Sequence, residues 1–461
     1  MNNTPTPPNQ EPPYPSSGYA WYVVMVLTFA YIVSFLDRQI MALMVQPIKR
    51  DLNISDTEMS LLLGLAFAVF YTILGIPIGR MADRRSRRAI IAGSITLWTL
   101  MTAACGLAKG YWTLFLARIG VGIGEAGLTP AALSIISDYF PREKRGRALS
   151  VYNAGVGLGA AVAMILGGQV IQYISTQPPM TLPVIGQLFA WQTVFLVVGL
   201  PGLLVALLML TVTEPLRRGK MRIATSTGTT DEIPFRDVVK FIAERRQAFA
   251  SHFFGMSVVT IIGYAYFSWL PTTFIRTWGW NIGQISFAYG MIMIVCVPLG
   301  VSLGGWLADR MFQNGHKDGH MRSNLWGVWL FLVPFSVLVP LMPNPTLALV
   351  MLVPASIGGA WVTATGAASI MMITPNQMRG QITAAYYFVI SILGLTVGPS
   401  AVAVVTDFVF RDESMLRYSV AWTCGVAGIF ALVLLHYNLP HFRRGVAEAE
   451  TWLGTAPPAA P

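Results

Sequence analysis

Residues 79–88 read Gly-Arg-Met-Ala-Asp-Arg-Arg-Ser-Arg-Arg, and a shortened copy, Gly-Trp-Leu-Ala-Asp-Arg, returns at residues 305–310. A second pair keeps the same order along the chain, with Pro-Arg-Glu-Lys-Arg-Gly at 141–146 and Pro-Asn-Gln-Met-Arg-Gly at 375–380. Each segment borders a long apolar run, and each copy follows its original by six such runs. Two matches in one register indicate two related halves of like topology, a parallel repeat typical of transporters.

The composition of the chain is too apolar for a protein that is covered by water. Of 461 residues, 54% are hydrophobic and 11% are charged, whereas a soluble domain carries about a quarter charged residues. The formal net charge of +10 raises nucleic acid as a partner. The basic residues lie in short loops between apolar runs, however, and are explained as topology determinants. We therefore expect membrane lipid around the chain and no nucleic-acid partner.

Twelve segments reach the roughly 20 apolar residues that a spanning helix needs. Numbered 1–12 in chain order, these spans are predicted at residues 19–45, 57–82, 88–108, 111–138, 147–174, 190–212, 248–276, 283–309, 323–342, 346–373, 380–407 and 418–439. They predict an all-α integral membrane protein in two six-helix halves. The predicted parts are a disordered N-terminal tail (1–17), a first bundle (18–212), a cytoplasmic linker (213–246), a second bundle (247–440) and a C-terminal tail (441–461). Within the linker, residues 235–246 are compatible with an amphipathic helix on the membrane surface.

The distribution of basic residues predicts the orientation of the chain. With twelve spans, both termini and the linker fall on one side of the membrane, and that side collects most of the 31 lysines and arginines. The positive-inside rule then places both termini in the cytoplasm. The short loops indicate a bacterial inner membrane as the location.

Asp83 is predicted to end span 2 beside Arg84. A carboxylate there can accept hydrogen bonds from arginines or from a helix N-terminus of the other half, and the start of span 11 near Arg379 is the expected partner. On this motif the chain resembles the major facilitator superfamily, which implies that fold and transport by alternating access. The residues predicted to form the cytoplasmic gate are Gly79, Asp83, Arg84, Arg87, Arg88, Asp309, Arg310 and Arg379.

The clear intramembrane charges are predicted in the first half, and they are Asp37, Arg38, Arg118 and Glu125. A charge at the bilayer centre costs roughly 2.5–3.5 kcal/mol on insertion scales, so such residues are usually functional. Arg118 and Glu125 share one face of span 4 and are expected to line a cavity between the halves. We interpret Arg118 as an anion anchor and the two carboxylates as proton carriers. The alternative is a static ion-pair network that ties span 1 to span 4.

Phe-Leu-Asp-Arg at residues 35–38 and Gly-Glu-Ala at 124–126 resemble the Spinster branch of that superfamily. The resemblance implies transport of a lysophospholipid or sphingolipid. Anion:cation symporters of the same superfamily also carry an arginine in span 4. A proton-coupled symporter of a hydrophilic organic anion and a multidrug exporter therefore stay as alternatives.

Spans 7 and 10 are expected to complete the cavity with Tyr264, Tyr266, Trp361, Thr363 and Thr365. Aromatic rings and hydroxyls can hold an acyl chain and a polar head together, and an uncharged wall facing a charged one suits an amphipathic solute. Packing between helices and anchoring at the interface are the alternative roles of these side chains.

The remaining reactive residue types predict no cofactor, no metal site and no enzyme activity. The three cysteines lie inside apolar runs without metal-ligand spacing, and the histidines lie near segment ends or in loops. The chain shows neither a nucleotide-binding loop nor a catalytic triad. Energy is therefore expected to come from a gradient, with protons as the candidate, and a monomer is the expected assembly.

Overall fold

The computed structural model describes residues 14–183, 186–217, 223–225, 228–230 and 234–454. Within them, twelve helical segments are long and apolar enough to cross a membrane, which confirms the predicted all-α membrane fold. These spans 1–12 run over Ser17–Leu43, Asp56–Ala82, Arg87–Gly106, Tyr111–Tyr139, Glu143–Ser175, Ala190–Leu210, Arg246–Trp278, Ile282–Gln313, Gly319–Leu341, Pro345–Met372, Arg379–Phe410 and Glu413–Thr451.

Several spans consist of more than one helical piece. The helices of the first half are Ser17–Leu43, Val45–Leu52, Asp56–Leu63, Leu65–Arg84, Arg87–Gly106, Tyr111–Glu125, Leu128–Tyr139, Arg142–Ser175 and Ala190–Leu210. The second half has Arg246–Trp278, Ile282–Gln313, Gly319–Trp326, the π-helical Gly327–Leu332, Val333–Leu341, Pro345–Met372, Arg379–Val404, the π-helical Val405–Phe410, the short Glu413–Met415 and Leu416–Gly454.

The linker contributes one described helix, Phe235–Glu244, whose Val238 and Phe241 are buried. Two small antiparallel pairs complete the secondary structure: Thr181–Leu182 with Gly186–Gln187, and Ile223–Thr225 with Gly228–Thr230. Most of the predicted N-terminal tail and parts of the predicted linker and C-terminal tail lie outside the described residues.

Spans 4 and 12 differ clearly from their sequence-based description. Span 4 is interrupted at Ala126 and Gly127, directly after Glu125. Glycine weakens a helix, and a Cβ added at Gly127 would lie 2.2 Å from the Ser94 hydroxyl, so close packing against span 3 requires glycine there. The helix of span 12 continues through Pro440 to Gly454, because Phe442 and Val446 of the predicted tail are buried.

The two halves meet along spans 5 and 8 and along spans 2 and 11. We call the end of the molecule that carries Ser17, the linker and Thr451 the linker end, and the other the far end. Near the far end, glycines approach the opposite half closely: a Cβ at Gly64 would lie 2.3 Å from the Leu395 carbonyl oxygen, and one at Gly168 1.7 Å from the Ser286 hydroxyl. A Cβ at Gly380, at the linker end of span 11, would meet no atom within 4 Å.

Candidate functional site

Arg38 on span 1 lies in a cage of aromatic rings. Its guanidinium carbon is 4.6 Å from the ring centre of Tyr71, 4.9 Å from that of Phe67 and 5.3 Å from that of Phe35. A cation over aromatic faces at these distances is attracted by the ring quadrupoles. The side chain keeps 14% of its surface exposed, the largest share among the four predicted site residues. Arg38 is therefore the most accessible of these four charges.

Glu125 is the ionic partner of Arg38. One carboxylate oxygen, Oε2, accepts hydrogen bonds from Arg38 Nε at 2.5 Å and from Ser34 Oγ at 2.7 Å. The other oxygen, Oε1, is buried and has no hydrogen-bond partner within the described residues. Glu125 is the last residue of the first helical piece of span 4, so the backbone changes direction immediately after the carboxylate.

Asp37 and Arg118 form a second, deeper layer behind this pair. Both are almost fully buried, and Arg118 Nη1 lies 3.5 Å from the Asp37 carbonyl oxygen. Neither carboxylate oxygen of Asp37 has a hydrogen-bond partner in the described part of the chain, and neither does Arg118 Nε. Phe67 touches both layers, because its ring centre is 5.5 Å from the Arg118 guanidinium. The structure thus brings all four predicted charges together.

The predicted lining of the second half divides into two groups. Tyr264 on span 7 packs against span 11, where a Cβ added at Gly394 or Gly398 would lie 2.9 Å or 3.0 Å from its side chain. Trp361 donates to Ser323 Oγ at 3.0 Å, and Thr365 accepts from the Asn324 amide at 3.1 Å, so both tie span 10 to span 9.

Thr363, which the sequence also placed in the lining, is exposed. Its hydroxyl donates to the Gly359 carbonyl oxygen of its own helix at 2.8 Å. This bond is local to span 10, so it positions Thr363 without linking two spans.

An apolar cavity of about 140 Å³ opens inside the second half among spans 7–10. Tyr266 lies on its wall and donates its hydroxyl to the Ser336 carbonyl oxygen, and Gly263, the residue before Tyr264, is also part of the wall. The wall of the cavity therefore includes the residue next to Tyr264 on span 7. The other lining side chains include Tyr289, Met293, Val297, Leu332, Leu352 and Ala355.

The far end is closed by ion pairs and hydrogen bonds between the halves. Asp56, at the start of span 2, accepts from Arg276 of span 7 at 2.7 and 2.8 Å and pairs with Lys49. Glu413 bridges the same two cations, at 2.9 Å from Lys49 and 3.1 Å from Arg276. Nearby, the Asp407 carboxylate accepts from the backbone N–H of Thr57 at 2.6 Å.

At the linker end, two predicted gate residues are engaged within the first half. Arg87 is buried and pairs with Asp138 and, at 2.8 Å, with Glu214. Burial disfavours the charged form of Glu214, but the Arg88 backbone N–H and the Arg87 side chain donate to it, and the pKa of Glu214 is lowered. Arg88 also donates to the Leu210 carbonyl oxygen at 2.6 Å.

The other predicted gate residues form no described bridge between the halves. Arg84, Arg310 and Arg379 are exposed, and Asp309 lies 3.7 Å from His320 of its own half. Gly79 approaches only Pro130 of its own half, and the side chain of Asp83 lies outside the described residues. The predicted latch between Asp83 and Arg379 stays a prediction.

Comparison with known protein families shows what this architecture is. The model of the Major Facilitator Superfamily matches residues 27–399. The chain belongs to the major facilitator superfamily. It is therefore a multi-pass membrane transporter rather than an enzyme, as the sequence predicted.

Individual members of the superfamily resemble the chain at lower identity. An MFS-type efflux pump of Mycolicibacterium smegmatis is 28% identical over 93% of this chain and 95% of its own length. Protein spinster of Drosophila melanogaster is 24% identical over 64% of this chain and 46% of its own length.

A solved structure aligns over almost the whole chain. The inward-facing, unoccupied crystal structure of a bacterial homologue of the human lysosomal transporter Spinster superposes with a TM-score of 0.73 at 25% identity. The alignment covers 96% of this chain and 100% of that one. The resemblance to Spinster proteins predicted from residues 35–38 and 124–126 is confirmed.

Sequence reasoning missed the aromatic cage. Phe67 and Tyr71 lie one helical turn apart on span 2, where aromatic residues are ordinarily read as packing. The sequence did contain a sign of this contact, because Phe35 and Arg38 lie one turn apart on span 1. Two arginines within the membrane also require partners.

Proposed function

We propose that this superfamily member transports an amphipathic, anionic, lipid-like solute, such as a lysophospholipid, by alternating access with proton coupling. We also propose that its termini and linker lie in the cytoplasm of a bacterium, which puts the closed far end on the outside. The observation that carries the proposal is the pairing of a caged guanidinium in the first half with an apolar cavity in the second. A charged head and an acyl tail need such a divided site.

The sequence indicated Arg118 as the anion anchor. The geometry favours Arg38 for this role. Arg118 is 2% exposed and lies behind the cage, whereas the Arg38 side chain is 14% exposed and is surrounded by aromatic rings. A guanidinium matches the oxygens of a phosphate or carboxylate through parallel hydrogen bonds.

Proton coupling follows from competition for a single guanidinium. Glu125 already occupies Arg38 through its Oε2 atom. A second anion at this site would place two negative charges within a few ångströms, unless Glu125 takes up a proton. The neutral carboxyl then releases Arg38, so that a proton and the anion enter the site together. Asp37, with both oxygens unpartnered, is the adjacent group that can exchange this proton.

A thermal-shift titration with single-chain phospholipids and with hydrophilic sugar acids tests the substrate class at two pH values. The purified wild-type protein should be stabilised by the phospholipids, and Arg38→Gln should remove at least about 90% of that response. Ala355→Leu should weaken the response to long acyl chains more than to short ones, because it fills the cavity. Val353→Leu, an exposed position on the same span, is the matched control. Stabilisation by sugar acids alone would contradict the proposal.

The efflux-pump relative supports a second candidate, export of an amphipathic drug. The same apolar cavity suits such a solute, but a cationic drug has no use for the caged guanidinium. Transport of a cationic dye by Arg38→Gln proteoliposomes separates the two. Unchanged dye transport by this variant, together with no phospholipid binding by the wild type, would favour the exporter.

A further inference from the structure

A groove of about 400 Å³ lies between spans 9 and 12, away from the site between the halves. Its walls carry Trp326 and Trp329 from span 9 and Leu432 from span 12. The two indole side chains are 52% and 64% exposed, which indicates that they face the surroundings of the protein rather than its core. On a membrane-spanning helix, those surroundings are lipid.

The linker end of the groove is basic. Arg322 and Arg443 line it, and each donates from its Nε to the same carboxylate, Asp318, with a distance of 2.8 Å for Arg322. Within the described residues, neither guanidinium uses a terminal nitrogen in a hydrogen bond, and the two side chains remain 35% and 49% exposed. Two cations and one carboxylate leave a net positive charge at this end of the groove. The exposed His436 also lines the groove.

The length of the groove matches one leaflet. Eleven residues separate Leu432 from Arg443 on span 12, or about 16 Å at 1.5 Å per residue. Half of the hydrocarbon core measures about 15 Å. With Arg443 at the membrane surface, Leu432 therefore reaches the bilayer midplane, as the acyl chains of a phospholipid do. Trp329, seven residues from Arg322 on span 9, lies about 10 Å deep.

We propose that this groove binds an anionic phospholipid of the leaflet at the linker end. Its phosphate lies between the free guanidinium nitrogens of Arg322 and Arg443, and its acyl chains follow the indole faces. Basic pockets between spanning helices suit anionic head groups. A second copy of the chain fits less well, because a two-fold contact here would bring the same two arginines from each copy together.

Native mass spectrometry of the full-length protein in detergent tests the proposal, with phosphatidylglycerol and phosphatidylcholine as probes. Wild type should bind phosphatidylglycerol more tightly, and affinity should fall about fivefold for each of Arg322→Gln and Arg443→Gln. Arg444→Gln, an exposed neighbour that does not line the groove, should change it less than about twofold. Equal loss in all three variants would mean general surface attraction and would overturn the site.

Trp329→Leu tests the apolar wall without disturbing Asp318, in case loss of an arginine affects folding. It should weaken phosphatidylglycerol binding, while Trp422→Leu, a similarly exposed indole outside the groove, should not. Unchanged binding in Trp329→Leu, or a dimer that forms in place of the lipid adduct, would contradict the proposal.

Discussion

Arg38 is held by one carboxylate and three aromatic rings, and these partners respond differently to a proton. The rings attract the guanidinium at every pH, whereas Glu125 holds it only while ionised. Protonation of Glu125 therefore frees the hydrogen-bonding edge of Arg38 without moving its charge. The alternative was a static ion-pair network that only ties span 1 to span 4. Such a network does not need a guanidinium edge that is exposed, whereas Arg38 has one.

Glu125→Gln keeps the shape of this side chain and removes its charge. We expect the variant to retain exchange of solute across liposomes but to lose accumulation driven by a pH gradient, since its partner arginine is permanently free. Asp37→Asn should slow proton-driven uptake while leaving solute binding within about twofold. Uptake and counterflow in proteoliposomes at pH 6 and pH 8 measure both. Unaltered pH dependence in both variants would remove these carboxylates from coupling.

The sequence was sufficient to find the four charges, because the free-energy cost of a charge in lipid marks each one. It was not sufficient to rank the two arginines. Spacing predicts which face a residue occupies but not how deep it lies, and the depth of Arg118 depends on Phe67 from another span. The one-turn spacing of Phe35 and Arg38 was a sign of one ring contact, but the approach of Phe67 and Tyr71 from another span appeared only in three dimensions.

Span 4 shows how far the local sequence determines the geometry of a single helix. The interruption of span 4 follows a glycine-rich stretch, and a Cβ at Gly122 or Gly124 would lie 2.5 Å or 2.6 Å from backbone atoms of spans 2 and 3. The close approach was predictable from the glycines. The break itself was not, because glycine in membrane helices is as compatible with packing as with a change of direction.

Asp318 joins the start of span 9 to the end of span 12 and makes their contact sensitive to acid. Its side chain is 4% exposed. Burial opposes ionisation of this carboxyl, but hydrogen bonds from Arg443 and Arg322 outweigh it, so the pKa of Asp318 is lowered. A lowered folded-state pKa stabilises the fold above the unfolded value of about 3.9, and that stabilisation is lost as pH falls through the folded pKa.

The melting temperature of the wild type should therefore fall from about pH 5 toward pH 3 more steeply than that of Asp318→Asn. At neutral pH the variant should be less stable than wild type. Differential scanning fluorimetry across this range measures both curves, with Asp237→Asn on the exposed face of the linker helix as the control. Parallel curves for wild type and Asp318→Asn would show that this carboxyl does not set the acid sensitivity.

For the whole molecule, the closed far end is the feature that defines the conformation. Ser60 of span 2 and Ser400 of span 11 face each other with their hydroxyl oxygens 3.3 Å apart. Because the two side chains are within reach of each other, we expect cysteines at these positions to form a disulfide on oxidation. The native cysteines are buried and do not compete.

Oxidation of the Ser60→Cys/Ser400→Cys double variant should lock the far end and abolish transport, with recovery after reduction. Gel mobility after limited proteolysis of the linker reports the cross-link, and uptake in proteoliposomes reports activity. Each single variant is the control and should be insensitive to oxidant. Full transport by the cross-linked protein would mean that the far end does not open during the cycle.

The repeat and the twelve spans were predictable because they depend on hydropathy and motif order, which are written along the chain. The closure of the far end was not predictable from the sequence. One sequence serves both states of a transporter, and their free energies differ by only a few kcal/mol. Lys49, Asp56, Arg276 and Glu413 are ordinary loop charges until three-dimensional packing places them together.

The cluster of Lys49, Asp56, Arg276 and Glu413 has one further consequence. Its two cations and two carboxylates sum to zero. Work against a membrane voltage is proportional to the net charge displaced, at about 2.3 kcal/mol per elementary charge for each 100 mV. Each half contributes one cation and one carboxylate, so the halves displace no net charge when they move apart as units. The membrane voltage therefore neither holds this seal shut nor pulls it apart.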